Sequence, residues 1–268
     1  MKCLIYCFSL LLGFVSNTYA DTVPIGEYQV EYEMRGSGKH TILLEAGGAA
    51  GLSDWQPIYD ELTGFARVIR YSRIGNGNSS PVKKNYSSQM YAEETSAFLQ
   101  ALKVEGKVVY VAHSYGAYIS RVFAAKYPEK VSALMLIEPA SEHDVDIMRS
   151  INLAEAEKQI AQIKLDDLNG GMSNQYLDFW AKRPLPDYPD IPDIPVTVIA
   201  SIKKYDDPSI LFFTDEGREK WGELHRDWAR TFPQGKAVLT EKSYHYPQFD
   251  EPQLVIEEVR QLLNKIKP

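Results

Sequence analysis

A serine stands where two patterns meet in this chain. Val108-Val109-Tyr110-Val111 is an apolar, largely β-branched run that reads as a covered strand, and Tyr118, Ile119, Val122 and Phe123 follow at helical spacing. Between them lies Ala112-His113-Ser114-Tyr115-Gly116-Ala117, which predicts strand, sharp turn and helix with the Ser114 hydroxyl at the apex. Acyl transfer needs that geometry. The serine oxygen must stand clear of the backbone while the N–H of the next residue, Tyr115, points at the developing oxyanion. The pattern is Gly-x-Ser-x-Gly with Ala112 in the place of the first glycine, and a strand-to-helix turn that merely contains a serine would share it.

A serine hydroxyl becomes a nucleophile only when a base takes its proton, so the five histidines matter. His40 falls in an early hairpin and His225 within an amphipathic helix, where exposure is the plain reading. His113 lies inside the turn as a packing or pocket residue, and His143 opens a helical segment with Asp144 and Asp146 as a polar helix start. His245 differs. It follows the last apolar run and precedes the final helix, in Ser243-Tyr244-His245-Tyr246-Pro247. A loop after the last strand of a parallel sheet lies on the same edge as Ser114, which makes His245 the candidate base.

The elements that must position these groups alternate along the chain. Glu27 to Met34 alternates polar and apolar residues, as a strand with one wet face does, and Gly36-Ser37-Gly38 turns it. Thr41-Ile42-Leu43-Leu44 reads as a strand covered on both faces, and Val68 to Tyr71, Val108 to Ala112, Ala133 to Ile137, Val196 to Ala200 and Ala237-Val238-Leu239 read as further short apolar strands. Helical patterns lie between most of them, at Trp55 to Leu62, Tyr91 to Leu102, Tyr115 to Lys126 and Asp215 to Arg230. A last helix after Asp250-Glu251-Pro252 carries Val255, Val259, Leu262 and Ile266 on one face. The expected fold is α/β, a mainly parallel central sheet with helices on both faces. The interval between Ile137 and Pro195 is too long for a simple crossover, and predicts a small helical cap insertion over about 141–193. Its Tyr176, Phe179 and Trp180 fit an apolar pocket or plain core packing, and its prolines fix the return to the sheet.

These residues, taken in order, resemble the α/β-hydrolase superfamily, in particular small-capped bacterial serine hydrolases of the esterase type. Leu43-Leu44-Glu45-Ala46-Gly47-Gly48 is similar to the family's His-Gly-x loop, with Ala46 for the histidine. The resemblance implies a second oxyanion donor there, the Gly48 N–H, with Ala49 as the alternative. Tyr71-Ser72-Arg73-Ile74-Gly75-Asn76-Gly77-Asn78-Ser79 resembles the Asp-Arg-x-Gly-x-Gly-x-Ser turn, with Ser72 where aspartate is usual; that turn is structural. For the acid that orients His245, most members imply a position near Lys204, with Asp206 and Asp207 just beyond. Others, among them haloalkane dehalogenases, imply the end of the strand after the nucleophile helix, where Glu138 stands. A carboxylate against an apolar strand end needs a partner, which favours Glu138 over Asp206 and Asp207; an arginine or a backbone cap would also satisfy it. Serine rather than aspartate at the nucleophile counts against an alkyl-ester intermediate. The expected activity is hydrolysis of a small, largely neutral ester. A lactonase, aminopeptidase or perhydrolase would share the triad, and a non-catalytic binder would share the pocket.

Composition narrows the partners. Lys2, the apolar run from Cys3 to Val15 and Ser16 to Ala20 read as a secretory signal with cleavage after Ala20, leaving residues 21–268 as one domain, secreted or periplasmic. The run is too short to span a bilayer, and both cysteines fall within it. The rest would hold neither disulfide nor thiolate. The formal net charge of −7, one unit more negative without Lys2, argues against nucleic acid and an anionic membrane surface. No spacing fits a metal site, a phosphate loop or a dinucleotide fingerprint, so no cofactor is expected.

Overall fold

In a computed structural model of the chain, residues 20–82, 86–170 and 190–266 are described. The expected leader lies outside them apart from Ala20, as do Tyr176, Phe179 and Trp180 of the insertion. The strands are β1 (Asp21–Ile25), β2 (Tyr28–Arg35), β3 (Thr41–Glu45), β4 (Arg67–Tyr71), β5 (Val108–His113), β6 (Val131–Ile137), β7 (Val196–Ser201) and β8 (Gly235–Thr240). They form one sheet in the order β1-β2-β4-β3-β5-β6-β7-β8. β1 and β2 enter antiparallel, and from β4 onward every pairing is parallel. β1 is an addition to the sequence reading. It folds back on β2 through Gly26, whose φ of +57° is the left-handed region that glycine enters freely.

The helices are α1 (Gln56–Thr63), α2 (Ser88–Ala101), α3 (Gly116–Lys126), α4 (Asp144–Ile151), α5 (Leu153–Gly170), α6 (Asp215–Arg230), a short α7 (Pro247–Asp250) and α8 (Pro252–Lys265). They explain why the inner strands show no alternation. On one face Leu43, Tyr110 and Leu134 pack with Phe98 of α2 and Phe123 of α3. On the other, Ile42, Val109 and Met135 pack with Tyr59 of α1 and Val259 of α8. Both faces of β3, β5 and β6 are dry, so both sets of side chains must be apolar. Between β6 and β7 the chain adds α4 and α5 instead of a single crossover. No helix among the described residues is long and apolar enough to cross a membrane.

A buried charge cluster sits where the carboxyl ends of β3 and β4 meet. The Glu45 carboxylate accepts from Arg73 and from the Tyr71 and Tyr110 hydroxyls. The Arg73 guanidinium also donates to the Ala46 and Gly47 carbonyls. Both charges are removed from solvent, with side chains 0% and 1% exposed. The turn carrying Arg73 is thereby tied to the glycine loop after β3. Ser72, at the position where aspartate is usual, donates to Glu31 and accepts the Leu52 N–H. A Cβ on Gly51 would come within 2.3 Å of that hydroxyl, so only glycine fits there. Taking one partner from a buried ion pair strands the other charge at a cost of about 3–5 kcal/mol. Arg73→Met is therefore expected to lose about that much stability, read as a lower urea midpoint at unchanged slope.

Candidate active site

The turn at Ser114 has the geometry its residues predict. Ser114 has φ of +49°, left-handed backbone that a non-glycine residue holds only when its surroundings impose it. Two hydrogen bonds impose it: the Ser114 N–H donates to Ile137 O and the Ala140 N–H donates to Ser114 O, each at 3.0 Å. The small residue at 116 is a steric requirement, because a Cβ there would lie 2.7 Å from Ala46 O and 2.8 Å from Glu45 Cγ. Tyr115 caps α3 with helical backbone, and the helix begins at once.

His245 Nε2 is 3.0 Å from Ser114 Oγ. The loop that carries it is held on both flanks. Ser201 Oγ donates to Ser243 O, Glu251 accepts from the Thr240 and Ser243 hydroxyls, and Asp250 accepts the Tyr244 N–H. On its other nitrogen, His245 Nδ1 lies 3.7 Å from Glu138 Oε2. That is an ion-pair distance longer than a hydrogen bond, as catalytic contacts often are before substrate binds. Glu138 is 4% exposed against 48% for His245, and its φ of +41° turns it out of the end of β6.

Glu138 also meets an arginine and a backbone donor, the other partners that would satisfy such a carboxylate. It accepts the Ser201 N–H and the Trp221 indole N–H, and Arg218 approaches at 3.4 Å. Burial alone would raise its pKa; the adjacent His245 imidazole and the charge of Arg218, with the Ser201 N–H, outweigh burial and hold it below the usual range. Asp206 and Asp207 are exposed, and among the described residues Glu138 is the carboxylate at ion-pair distance from His245. Arg218 and Trp221 were not singled out from sequence. With His225 and Ala229 they lie three, four and four residues apart on α6, the helical spacing of a buried face.

The loop after β3 reaches the same place. A Cβ on Gly47 would lie 3.3 Å from Ser114 Cβ, so this backbone runs against the serine, with Gly48 next and Ala49 at φ of +56°. Beside Glu138 and His245 opens a cavity of about 510 Å³, walled by Val145, Met148, Ile160 and Ile163 of α4 and α5 and by Phe212 and Phe213. Its lining is mainly apolar, suited to an uncharged group. Among the described residues no cluster of three or more His, Asp or Glu side chains could hold a metal ion.

Set beside known proteins, residues 40–173 match the family model described as the alpha/beta hydrolase fold. The chain belongs to the α/β-hydrolase fold family. Among curated proteins it is 33% identical over 116 residues to a 2-hydroxy-6-oxononadienedioate/2-hydroxy-6-oxononatrienedioate hydrolase of Paraburkholderia phymatum. That match covers 41% of this chain and 40% of the relative, so the chain spans about two fifths of the length of the curated relatives it matches. A putative lipase from Acinetobacter baumannii has a TM-score of 0.67 at 20% identity, covering 92% of this chain and 91% of that one. An esterase from Thermogutta terrifontis scores 0.61 at 19% identity, covering 92% and 99%. At these identities the two structures speak to the fold, an α/β hydrolase with a mostly parallel sheet.

Two further histidines are placed as follows. His143 caps α4 and pairs with Asp146 at 3.1 Å, a polar helix start. His225, expected to be exposed, is instead buried, edge-on to Trp221 one helical turn away. Burial pushes its pKa down from 6.5 to about 4, with Glu138 opposing. The folded protein therefore resists a proton that the unfolded chain accepts. His225 leaves stability intact above about pH 6.5 and erodes it as pH falls toward 4, by about 3 kcal/mol in all. His225→Gln is expected to flatten that part of the stability profile, measured by urea unfolding at pH 7 and pH 4.5.

Proposed function

We propose that this chain is a serine hydrolase that cleaves a small, largely neutral carboxylic ester through an acyl-enzyme on Ser114. The observation that carries the reading is the 3.0 Å approach of His245 Nε2 to the hydroxyl of a serine on left-handed backbone. In this mechanism His245 takes the Ser114 proton as Oγ attacks the carbonyl, then returns it to the leaving alcohol. The Glu138 carboxylate fixes the imidazole with Nδ1–H toward itself, so that Nε2 is free to accept. The N–H groups of Tyr115 and Gly48 receive the oxyanion, each contributing about 3 kcal/mol in the transition state. A water activated by His245 then releases the acid. Helices α4 and α5 act as the cap, and the apolar cavity beneath them takes the acyl or alcohol portion. Export, with removal of residues 1–20, places the enzyme in the periplasm or outside the cell.

Membership of the hydrolase-fold family supports this reading, and the decisive test is direct. A fluorophosphonate probe should label the wild-type chain at Ser114 and leave Ser114→Ala unlabelled, with the fold of the variant unchanged by circular dichroism. A lack of labelling under native conditions would turn the reading toward a non-catalytic binder. With a p-nitrophenyl ester as substrate, Glu138→Gln is expected to lower kcat by about 10⁴-fold, the loss typical of a misdirected imidazole tautomer. Asp206→Asn and Asp207→Asn are expected to stay within about twofold, since exposed surface changes are normally near neutral. A lactone and an amide assayed beside the ester series assign the leaving group.

A further inference from the structure

A second histidine–carboxylate pair lies behind the first. His113, immediately before Ser114, and Asp54, in the turn before α1, have side chains each 2% exposed and come within 3.0 Å through Nδ1 and Oδ2. The other ring nitrogen of His113 is 2.8 Å from the backbone carbonyl of His245. A carbonyl only accepts, so Nε2 carries a hydrogen. The Asp54 carboxylate receives more than the histidine: Oδ2 accepts the Gly47 N–H at 2.9 Å and Oδ1 accepts the Gln248 amide at 3.1 Å. Burial by itself would raise the Asp54 pKa, but the bond to His113, its charge, and the Gly47 and Gln248 donors together hold it below the usual range. The His113 and His245 rings sit 4.9 Å apart.

We propose that Asp54 and His113 are positioning residues, a buried clamp that fixes the loop after β3 and the loop bearing His245 to the strand that ends at Ser114. The proposal rests on the hydrolase reading for its kinetic consequence and on geometry alone for its structural one. The clamp supplies no group to the substrate. It sets where the Gly47-Gly48 backbone and the His245 imidazole stand relative to Oγ, and a displacement of about 1 Å at a reacting pair can cost about a hundredfold in rate.

Two substitutions cut the two links separately. His113→Gln keeps a donor toward His245 O and loses the Asp54 bond; His113→Asn keeps the Asp54 bond and loses the carbonyl. Each, like Asp54→Asn, is expected to lower kcat about a hundredfold with KM within about threefold. The double variant Asp54→Asn/His113→Gln should be no slower than either single one, because the two act as one unit. Hydrogen exchange supplies a readout independent of turnover. In His113→Asn the amides of residues 241–248 should exchange faster while those of residues 46–52 stay protected, and in His113→Gln the reverse. Fluorophosphonate labelling of the wild type tests the hydrolase reading separately. Unchanged exchange in both loops of the variants, or unchanged kcat in the variants of a wild type that labels, overturns the clamp. Altered exchange in a protein that never labels leaves the clamp standing and removes the serine hydrolase.

Discussion

The backbone of Ser114 is the constraint on which the rest of this structure turns. A left-handed non-glycine residue costs about 1–3 kcal/mol and persists only where its neighbours leave no alternative. Here the alternatives are closed by the Ile137 carbonyl below, the Ala140 N–H above and the bare Cα of Gly116 against β3. Ile137 ends β6, Ala140 follows it and Gly116 opens α3 against β3, so the turn that presents the hydroxyl is a consequence of how β3, β5 and β6 are ordered. Those strands are covered on both faces and hydrogen-bonded on both edges, which gives them the rigidity that a strained turn requires.

The carboxyl edge of the same strands holds three buried carboxylates, Glu45, Asp54 and Glu138, and each is reconciled with burial in a different way. Glu45 has a guanidinium and two phenols, Asp54 an imidazole, a backbone N–H and an amide, and Glu138 an arginine, an indole and a backbone N–H beside His245. An unpaired charge in such a place would be prohibitive, whereas a fully bonded one is rigid. The polar groups around Ser114 are therefore fixed by mutual satisfaction, while the cavity between α4, α5 and the Phe212-Phe213 turn is mainly apolar. On the proposed acyl-transfer reading, charge would develop against the rigid polar supports and an uncharged group would fill the apolar chamber.

Much of this was legible along the chain because the deciding signals are local. Strand runs without alternation, helical spacing after Ser114 and the small residues at 112 and 116 depend on neighbours within one element, and the sheet that forms agrees with them. The position of His245 after the last strand was also readable, since parallel strands bring their following loops to one edge. Glu138 stood out because a carboxylate cannot end an apolar strand without a partner. Short edge elements escaped, as β1 did, because five residues at the margin of a sheet carry little pattern. His225 was misplaced for a physical reason: a histidine on an amphipathic helix goes to whichever face its neighbours choose, and here Trp221 lies one turn away on the buried face.

By itself the sequence determined the α/β alternation, the strand-turn-helix around Ser114 and the edge on which its partners must lie. All of these follow from periodicities of two and 3.6 residues and from the steric freedom of small side chains. Only the tertiary structure decided which polar groups meet. Asp54 and His113 are 59 residues apart, and Glu138 and Trp221 are 83 apart. No local pattern encodes those pairings, because a buried charge does not choose a partner by distance along the chain. It takes the donor that the packed strands and helices deliver to it, and that delivery is settled only when the whole sheet has closed around the serine.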